Sequence, residues 1–200
     1  MENIKSKEIN INFSGKLVSL GPLRSDLVPL YNRWNNDFQT TKTLASTGPV
    51  ILEEEITAFK QISQNKNFLF FTIYEKHTLQ PIGNTFLSDI NYKNRTAEFN
   101  IVIGEKDSRG KGYGTEVAKL VLDYSFQTLG LHNIFLKVFE FNKNAIRAYE
   151  KAGFIRCGRR RQAHFSRGRT WDIIYMEALA SEFESSDFQN ESVILEERKN

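Results

Sequence analysis

Asp107-Ser108-Arg109-Gly110-Lys111-Gly112-Tyr113-Gly114 is the stretch of this chain best equipped for chemistry. Gly110, Gly112 and Gly114 alternate with larger residues, so a ligand can come close to bare backbone N–H groups. An amphipathic segment follows from near Thr115, and the first N–H groups of a helix have no partner within it. Loop and helix start together predict an anion site suited to phosphate or pyrophosphate, with Arg109 and Lys111 adding positive charge at the rim. The expected ligand is a nucleotide-containing cofactor. Two other phosphate motifs fit poorly. A Walker-type loop ends in Gly-Lys-Ser/Thr, whereas Gly114 is followed by Thr115 and Glu116. A dinucleotide fingerprint wants Gly-x-Gly-x-x-Gly early in a βαβ unit, and this loop has neither the spacing nor the position. The competing reading is a flexible turn, because glycines punctuate loops.

A second constellation lies downstream, in Asn142-Lys143-Asn144-Ala145-Ile146-Arg147-Ala148-Tyr149-Glu150-Lys151-Ala152-Gly153-Phe154. With the glycine loop, it resembles the GCN5-related N-acetyltransferase (GNAT) superfamily. That family's acetyl-CoA loop, Arg/Gln-x-x-Gly-x-Gly/Ala, is matched by Arg109, Gly112 and Gly114, and its later motif by Asn142, Ala145, Tyr149, Gly153 and Phe154. The resemblance covers roughly residues 16 to 178. It is nearest to the branch of ribosomal-protein N-terminal acetyltransferases and spermidine acetyltransferases, through Leu17-Val18-Ser19-Leu20-Gly21-Pro22-Leu23 and Trp34-Asn35.

The resemblance implies an α/β (α+β) GNAT fold. This is one mixed, mostly antiparallel sheet of about seven strands with about four helices, splayed between its fourth and fifth strands. It implies acetyl-CoA as co-substrate, held by Arg109, Gly110, Lys111, Gly112, Tyr113, Gly114 and Thr115, with Asn142, Asn144 and Ala145 contributing. A backbone N–H near Val102 or Ile103 is expected to polarise the thioester carbonyl. Tyr149 is implied as the general acid for the departing thiolate, against the plainer reading of a tyrosine packed on a helix face.

The base is less sharply marked. Strand alternation places Glu98, Asn100 and Val102 opposite the apolar row Phe99, Ile101 and Ile103. Glu98 also lies eleven residues before Arg109, a separation similar to that of the catalytic glutamate in histone acetyltransferases of the superfamily. The competing reading is a surface glutamate paired with Arg95 or a lysine. The acceptor is expected between the first helix region and the final hairpin, where Trp34, Asp37, Phe38 and His164 are candidates and an aromatic wall beside a carboxylate would suit an amine. Trp34 as a core anchor and Asp37 as a helix-end residue are the alternatives.

The elements that must position these groups follow in α/β order. Strands are expected at 16–20, 68–74, 82–90, 96–103, 134–139, 154–165 and 170–178, and helices at 25–35, 52–64, 114–129 and 142–152. Ser25 or Asp26 is the expected cap of the first helix, and Gly130 the terminator of the third. One catalytic domain over 1–180 is expected, with an acidic, then mixed, appendage from Ser181 to Asn200.

Bulk properties narrow the classes. Two hundred residues can bury the core of one domain. The single cysteine, Cys157, excludes an internal disulfide framework and suits a reducing cytoplasm, and the polar start Met1–Glu8 does not read as a signal peptide. No run approaches the ~20 apolar residues of a membrane helix. A net charge of +3 is thin support for a nucleic-acid partner, so none is expected. His77, His132 and His164 are dispersed, and no metal is expected. Arg156, Arg159, Arg160 and Arg161 read as a solvated strand face, or as an attractor of an anionic substrate.

The leading expectation is therefore acetyl-CoA-dependent N-acetyl transfer to a primary amine of a small molecule, such as an amino sugar, polyamine or antibiotic-like amine. Scattered carboxylates (Asp37, Asp89, Glu98) weigh against a polyamine, while the resemblance weighs for it. A peptide N-terminus is the alternative acceptor, and a non-catalytic acyl-CoA-binding module is the reading from another class. Homodimerisation is compatible with either.

Overall fold

The computed structural model describes residues 9–44, 48–166 and 168–184. Eight strands form one sheet: β1 (Phe13–Ser14), β2 (Val18–Pro22), β3 (Leu69–Glu75), β4 (Pro81–Asn91), β5 (Thr96–Ile103), β6 (Asn133–Phe139), β7 (Ile155–Ser166) and β8 (Arg169–Leu179). Their order is β1-β2-β3-β4-β5-β6-β8-β7, and only the β5–β6 pair is parallel. The helices are α1 (Val28–Asn36), α2 (Phe38–Thr41), α3 (Leu52–Gln64), α4 (Tyr113–Asp123) and α5 (Lys143–Ala152). The mixed, mostly antiparallel GNAT sheet is present, with one strand and one helix more than the sequence suggests.

Period-two alternation decides which face each residue serves. Phe71 and Ile73 of β3 join the main core with Val117, Ala118, Leu120 and Val121 of α4 and Ile146 of α5. Phe70, one residue out of phase, packs with Tyr31 and Trp34 of α1 and Phe59 of α3 on the other side. The sheet is thus covered by helices on both faces. Where two strands approach most closely, a side chain is excluded: a Cβ at Gly83 would overlap the Val102 carbonyl oxygen of the neighbouring strand.

Two expectations about helix ends need correction. Neither Ser25 nor Asp26 caps α1; Ser25–Leu27 form a 3₁₀ turn, Asp26 pairs with Arg24, and α1 starts behind it with Pro29 in its first turn. Proline is tolerated there because its missing N–H would be unpaired anyway. The third long helix begins at Tyr113, earlier than expected, and loosens after Asp123 into a π-turn over Tyr124–Thr128. Gly130, with φ +65°, then turns the chain into β6. Of the expected appendage, 185–200 lie outside the described residues; before them, Phe183 packs edge-on against Phe126.

Gly83→Ala tests the close β4–β5 approach. Overpacking against backbone, which cannot rotate away, should destabilise the fold by about 1–3 kcal/mol. A urea unfolding midpoint equal to that of wild type would show that the strands yield freely.

Candidate active site

β5 and β6 pair only at Thr96–Asn133, Ala97–Ile134 and Glu98–Phe135. Beyond that point β6 stays paired with β8 as far as Phe139–Ile173, and β5 stays paired with β4. Phe99–Ile103 and Leu136–Phe139 therefore face each other across an open V, at the expected place between the fourth and fifth of the long strands. The amide of Gly104 donates to Ile82 on the β4 side. By alternation along the strand, the amides of Ile103 and Ile101 turn towards the gap and that of Val102 does not. The Ile103 carbonyl, on the same side, accepts Arg109 Nε at 3.0 Å.

At the open end of the V, Gly110 and Gly112 have φ +76° and +87°, the left-handed region that costs glycine least. A Cβ at Gly110 or Gly114 would meet nothing within 4 Å. Among the described residues, the amides of Gly110, Lys111 and Gly112 donate to no protein acceptor, and α4 starts at Tyr113 with no side-chain cap. Thr115 and Glu116 close the first turn by donating to Gly112 O, both at 3.1 Å. These features leave a cradle of free N–H groups at a helix start, the arrangement that suits an anion. Glu116, an anion in the same turn, is turned away: its carboxylate accepts the amides of Lys16, Leu17 and Val18 at 2.9, 2.7 and 2.8 Å.

Arg109 departs from its expected role at the rim. Its guanidinium donates to Ile103 O, Gly104 O, Gln39 O and Thr40 Oγ1, so the side chain is committed to the protein itself. Lys111 stays exposed and Tyr113 half-buried against the core.

The later motif resolves into local backbone needs. Asn142 is the N-cap of α5 and accepts the Ala145 amide at 3.3 Å; Gly153, at φ +105°, ends the helix; and Phe154 is buried. Asn144 is an exposed acceptor for Arg147. Neither asparagine side chain reaches towards the glycine loop through any bond in the structure. Tyr149 is the motif residue with no capping or turning task. Its ring lies edge-on to Phe99, the first β5 residue past the parting point, at 6.2 Å between centroids, and no hydrogen bond holds its hydroxyl among the described residues. Burial pushes its pKa up to about 12.

Glu98 lies at the closed end of the V, where the strands still pair, and its carboxylate is 2.9 Å from Lys137 Nζ. The ion-pair alternative describes it. The acceptor candidates divide. Trp34 is buried and donates Nε1–H to Glu105 at 2.9 Å, and a Cβ on Gly104 would collide with its ring; it is a packing anchor. Asp37 caps α2 through the Gln39 and Thr40 amides, as a helix-end residue does, and the Thr40 hydroxyl first, then those amides, hold its carboxyl below the usual range. Phe38 and His164, by contrast, line one groove of about 400 Å³ with Asn35, Lys42 and Phe165. His164 stacks on Phe139, at the tip of β6, at 3.7 Å. That stack, and Phe141 and Trp171 beside it, could have been sought in the aromatic run that ends β6. Of the arginine run, Arg156 pairs with Glu150 and Arg159 with Asp172. Among the described residues no cluster of metal-ligating side chains occurs, and no helix is long and apolar enough to cross a membrane.

The model of the acetyltransferase (GNAT) domain family matches residues 18–155. The chain belongs to that family. A spermidine N(1)-acetyltransferase of Escherichia coli (strain K12) is 32% identical over 177 residues, which span 82% of this chain and 86% of that protein. Another, from Vibrio cholerae, is 39% identical over 102 residues, 51% of this chain and 58% of that relative. A crystal structure of spermidine N-acetyltransferase from Vibrio cholerae in complex with CoA and spermine superposes with TM-score 0.79 at 27% identity, covering 84% of this chain and 98% of that one. The protein is an acetyl-CoA-dependent N-acetyltransferase.

Gly114 offers the cleanest test of the cradle. Gly112 is left-handed, so any side chain there strains the backbone, but Gly114 is helical with free space around it. Gly114→Leu should keep the fold and weaken acetyl-CoA binding by about tenfold or more, since the added side chain occupies the ligand's approach. Wild-type affinity by calorimetry in the folded variant would move the pyrophosphate elsewhere.

Proposed function

We propose that this enzyme acetylates a primary amine of a polyamine-like small molecule in a ternary complex with acetyl-CoA. The observation that carries this reading is the V between β5 and β6, whose single open mouth lies between the glycine loop that follows β5 and the aromatic groove beside the tip of β6. The spermidine acetyltransferases similar to this chain support the polyamine class and overrule the inference from scattered carboxylates. They give no support to a peptide N-terminus. The groove presents aromatic faces at Phe38, His164 and Phe165, with no carboxylate among its lining residues, so its attraction for an ammonium rests on ring quadrupoles. An exposed free thiol at Cys157 suits the reducing cytoplasm in which we place the reaction.

Acetyl-CoA, when bound, supplies the acetyl thioester. The amides of Gly110 to Gly114 would hold its pyrophosphate, and the Ile103 amide, turned to the gap, would donate to the oxygen on which negative charge develops. Tyr149 would donate its phenolic proton to the departing sulfur. At a pKa of about 12 it keeps that proton at neutral pH. Full transfer to a thiolate of ordinary pKa near ~8.5 is uphill in the empty site, so Tyr149 would act first as a hydrogen-bond donor. As the C–S bond breaks its proton would pass to sulfur, and the proton shed by the acylated nitrogen would restore the phenol. Glu98, paired with Lys137, is left out of the chemistry, and the amine loses its proton to solvent.

Two measurements test this. Thiol release over a panel of spermidine, spermine, amino sugars and amino-terminal peptides should show the polyamines turned over best; a peptide preferred over every polyamine would overturn the acceptor. In Tyr149→Phe, kcat should fall by about 10²–10⁴ with little change in KM. Because the protonated form of Tyr149 is the active one, its contribution is lost only as pH rises through about 12. Wild-type kcat should therefore show no loss between pH 7 and 10 traceable to this group, and a falling limb there, absent in Tyr149→Phe, would contradict the assigned state.

A further inference from the structure

Arg109 sits in the cofactor loop, yet its guanidinium reaches the opposite half of the site. Nε donates to Ile103 O at 3.0 Å and Nη2 to Gly104 O at 3.1 Å, both at the end of β5. Nη1 donates to Gln39 O at 3.1 Å and Nη2 to Thr40 Oγ1 at 2.7 Å, both in α2. Thr40 is buried, and its hydroxyl in turn donates to Asp37 Oδ2, the carboxylate that caps α2 and lies 3.9 Å from Nη2. Four residues cannot form a stable helix alone, so α2 depends on such outside contacts. From this anchored helix Phe38, Thr41 and Lys42 project into the groove that also holds His164.

We propose that Arg109 is a positioning residue for the acceptor rather than a ligand of the cofactor: it docks α2 onto the end of β5 and so sets the wall of the acceptor groove. A planar fork with five donors can reach four acceptors on two elements at once, whereas the three donors of a lysine radiate from one nitrogen and cannot span the same set. The same fork fixes the Ile103 carbonyl, whose peptide neighbour lines the gap. Loop, gap and groove therefore share one side chain. The acceptor half of this inference rests on the amine-transfer reading above; the docking half does not.

The test compares Arg109→Lys, which keeps the charge, with Thr40→Val, which removes one partner while leaving the loop intact. Three measurements are made: acetyl-CoA affinity by calorimetry, steady-state kinetics (KM and kcat) for whichever amine the panel identifies, and hydrogen exchange of the Thr40, Thr41 and Lys42 amides. In both variants exchange at those amides should accelerate about tenfold or more, and acceptor KM should rise about tenfold and by more than kcat falls. Acetyl-CoA Kd should stay within about twofold. A tenfold loss of acetyl-CoA affinity in Arg109→Lys with exchange unchanged would make Arg109 a cofactor ligand and overturn the proposal, as would unchanged acceptor KM. If no amine in the panel is turned over, the acceptor reading fails by itself, and the exchange rates still decide whether Arg109 docks α2.

Discussion

The parting of β5 and β6 after Glu98 and Phe135 is the constraint on which the rest of the molecule depends. Two parallel strands that separate leave amides and carbonyls unpaired, and unpaired backbone groups shielded from water are costly. The fold answers this in part: Arg109 takes the Ile103 carbonyl, while β8 holds the opposite edge of β6 and leaves the gap-side groups open. The gap is therefore a place where the protein's own hydrogen bonding is left incomplete, and in the function proposed above the co-substrate would complete it.

That incompleteness has to be held rigid, which explains the work of residues outside the reaction. α4 supplies a nearly continuous apolar face beneath the sheet, and α5 crosses beside it with Tyr149 against Phe99. At the far end of β2, Glu116 binds three successive amides of Lys16–Val18 and so ties the β1–β2 turn to the first turn of α4. A carboxylate is favoured near a helix N-terminus. Here three N–H groups also neutralise it, so that it does not oppose a pyrophosphate bound at the same helix start.

How far the site could be read from sequence follows from what each motif residue does. Asn142, Gly112 and Gly153 encode local backbone requirements, a cap or a left-handed φ, and such requirements show up as residue type at fixed spacing. Strand β5 at 96–103 and helix α3 at 52–64 were legible for the same reason, since periodicity is local. Sequence alone could not resolve Arg109 and Trp34 because their partners are distant in it: Gln39 and Thr40 for Arg109, Glu105 and Gly104 for Trp34. For Trp34 and Asp37 it left the core anchor and the helix-end residue open as alternatives, and the contacts seen are of those kinds. Nothing in the sequence around Arg109 distinguishes a guanidinium facing a phosphate from one facing two carbonyls. The two-residue strand β1 was missed because it is too short to show alternation, and α2 because its stability comes from outside itself.

The acceptor end shows the same dependence on long-range contacts in a second form. β7 is an edge strand paired only with β8, and its register slips between Arg160 and His164 around Gln162, which has φ +50°. A bulge there would be free to drift but for Asp172, buried on β8, which accepts the Gln162 amide at 2.7 Å and also pairs with Arg159. Those donors, the amide first, hold the Asp172 carboxyl below its ordinary pKa. Bulges re-aim the side chains that follow them. This one brings His164 onto the face of Phe139, at the tip of the strand that borders the gap. One arginine of the basic run thus serves the groove from within the sheet, through an aspartate, and the groove's aromatic wall is set by a carboxylate that does not line it.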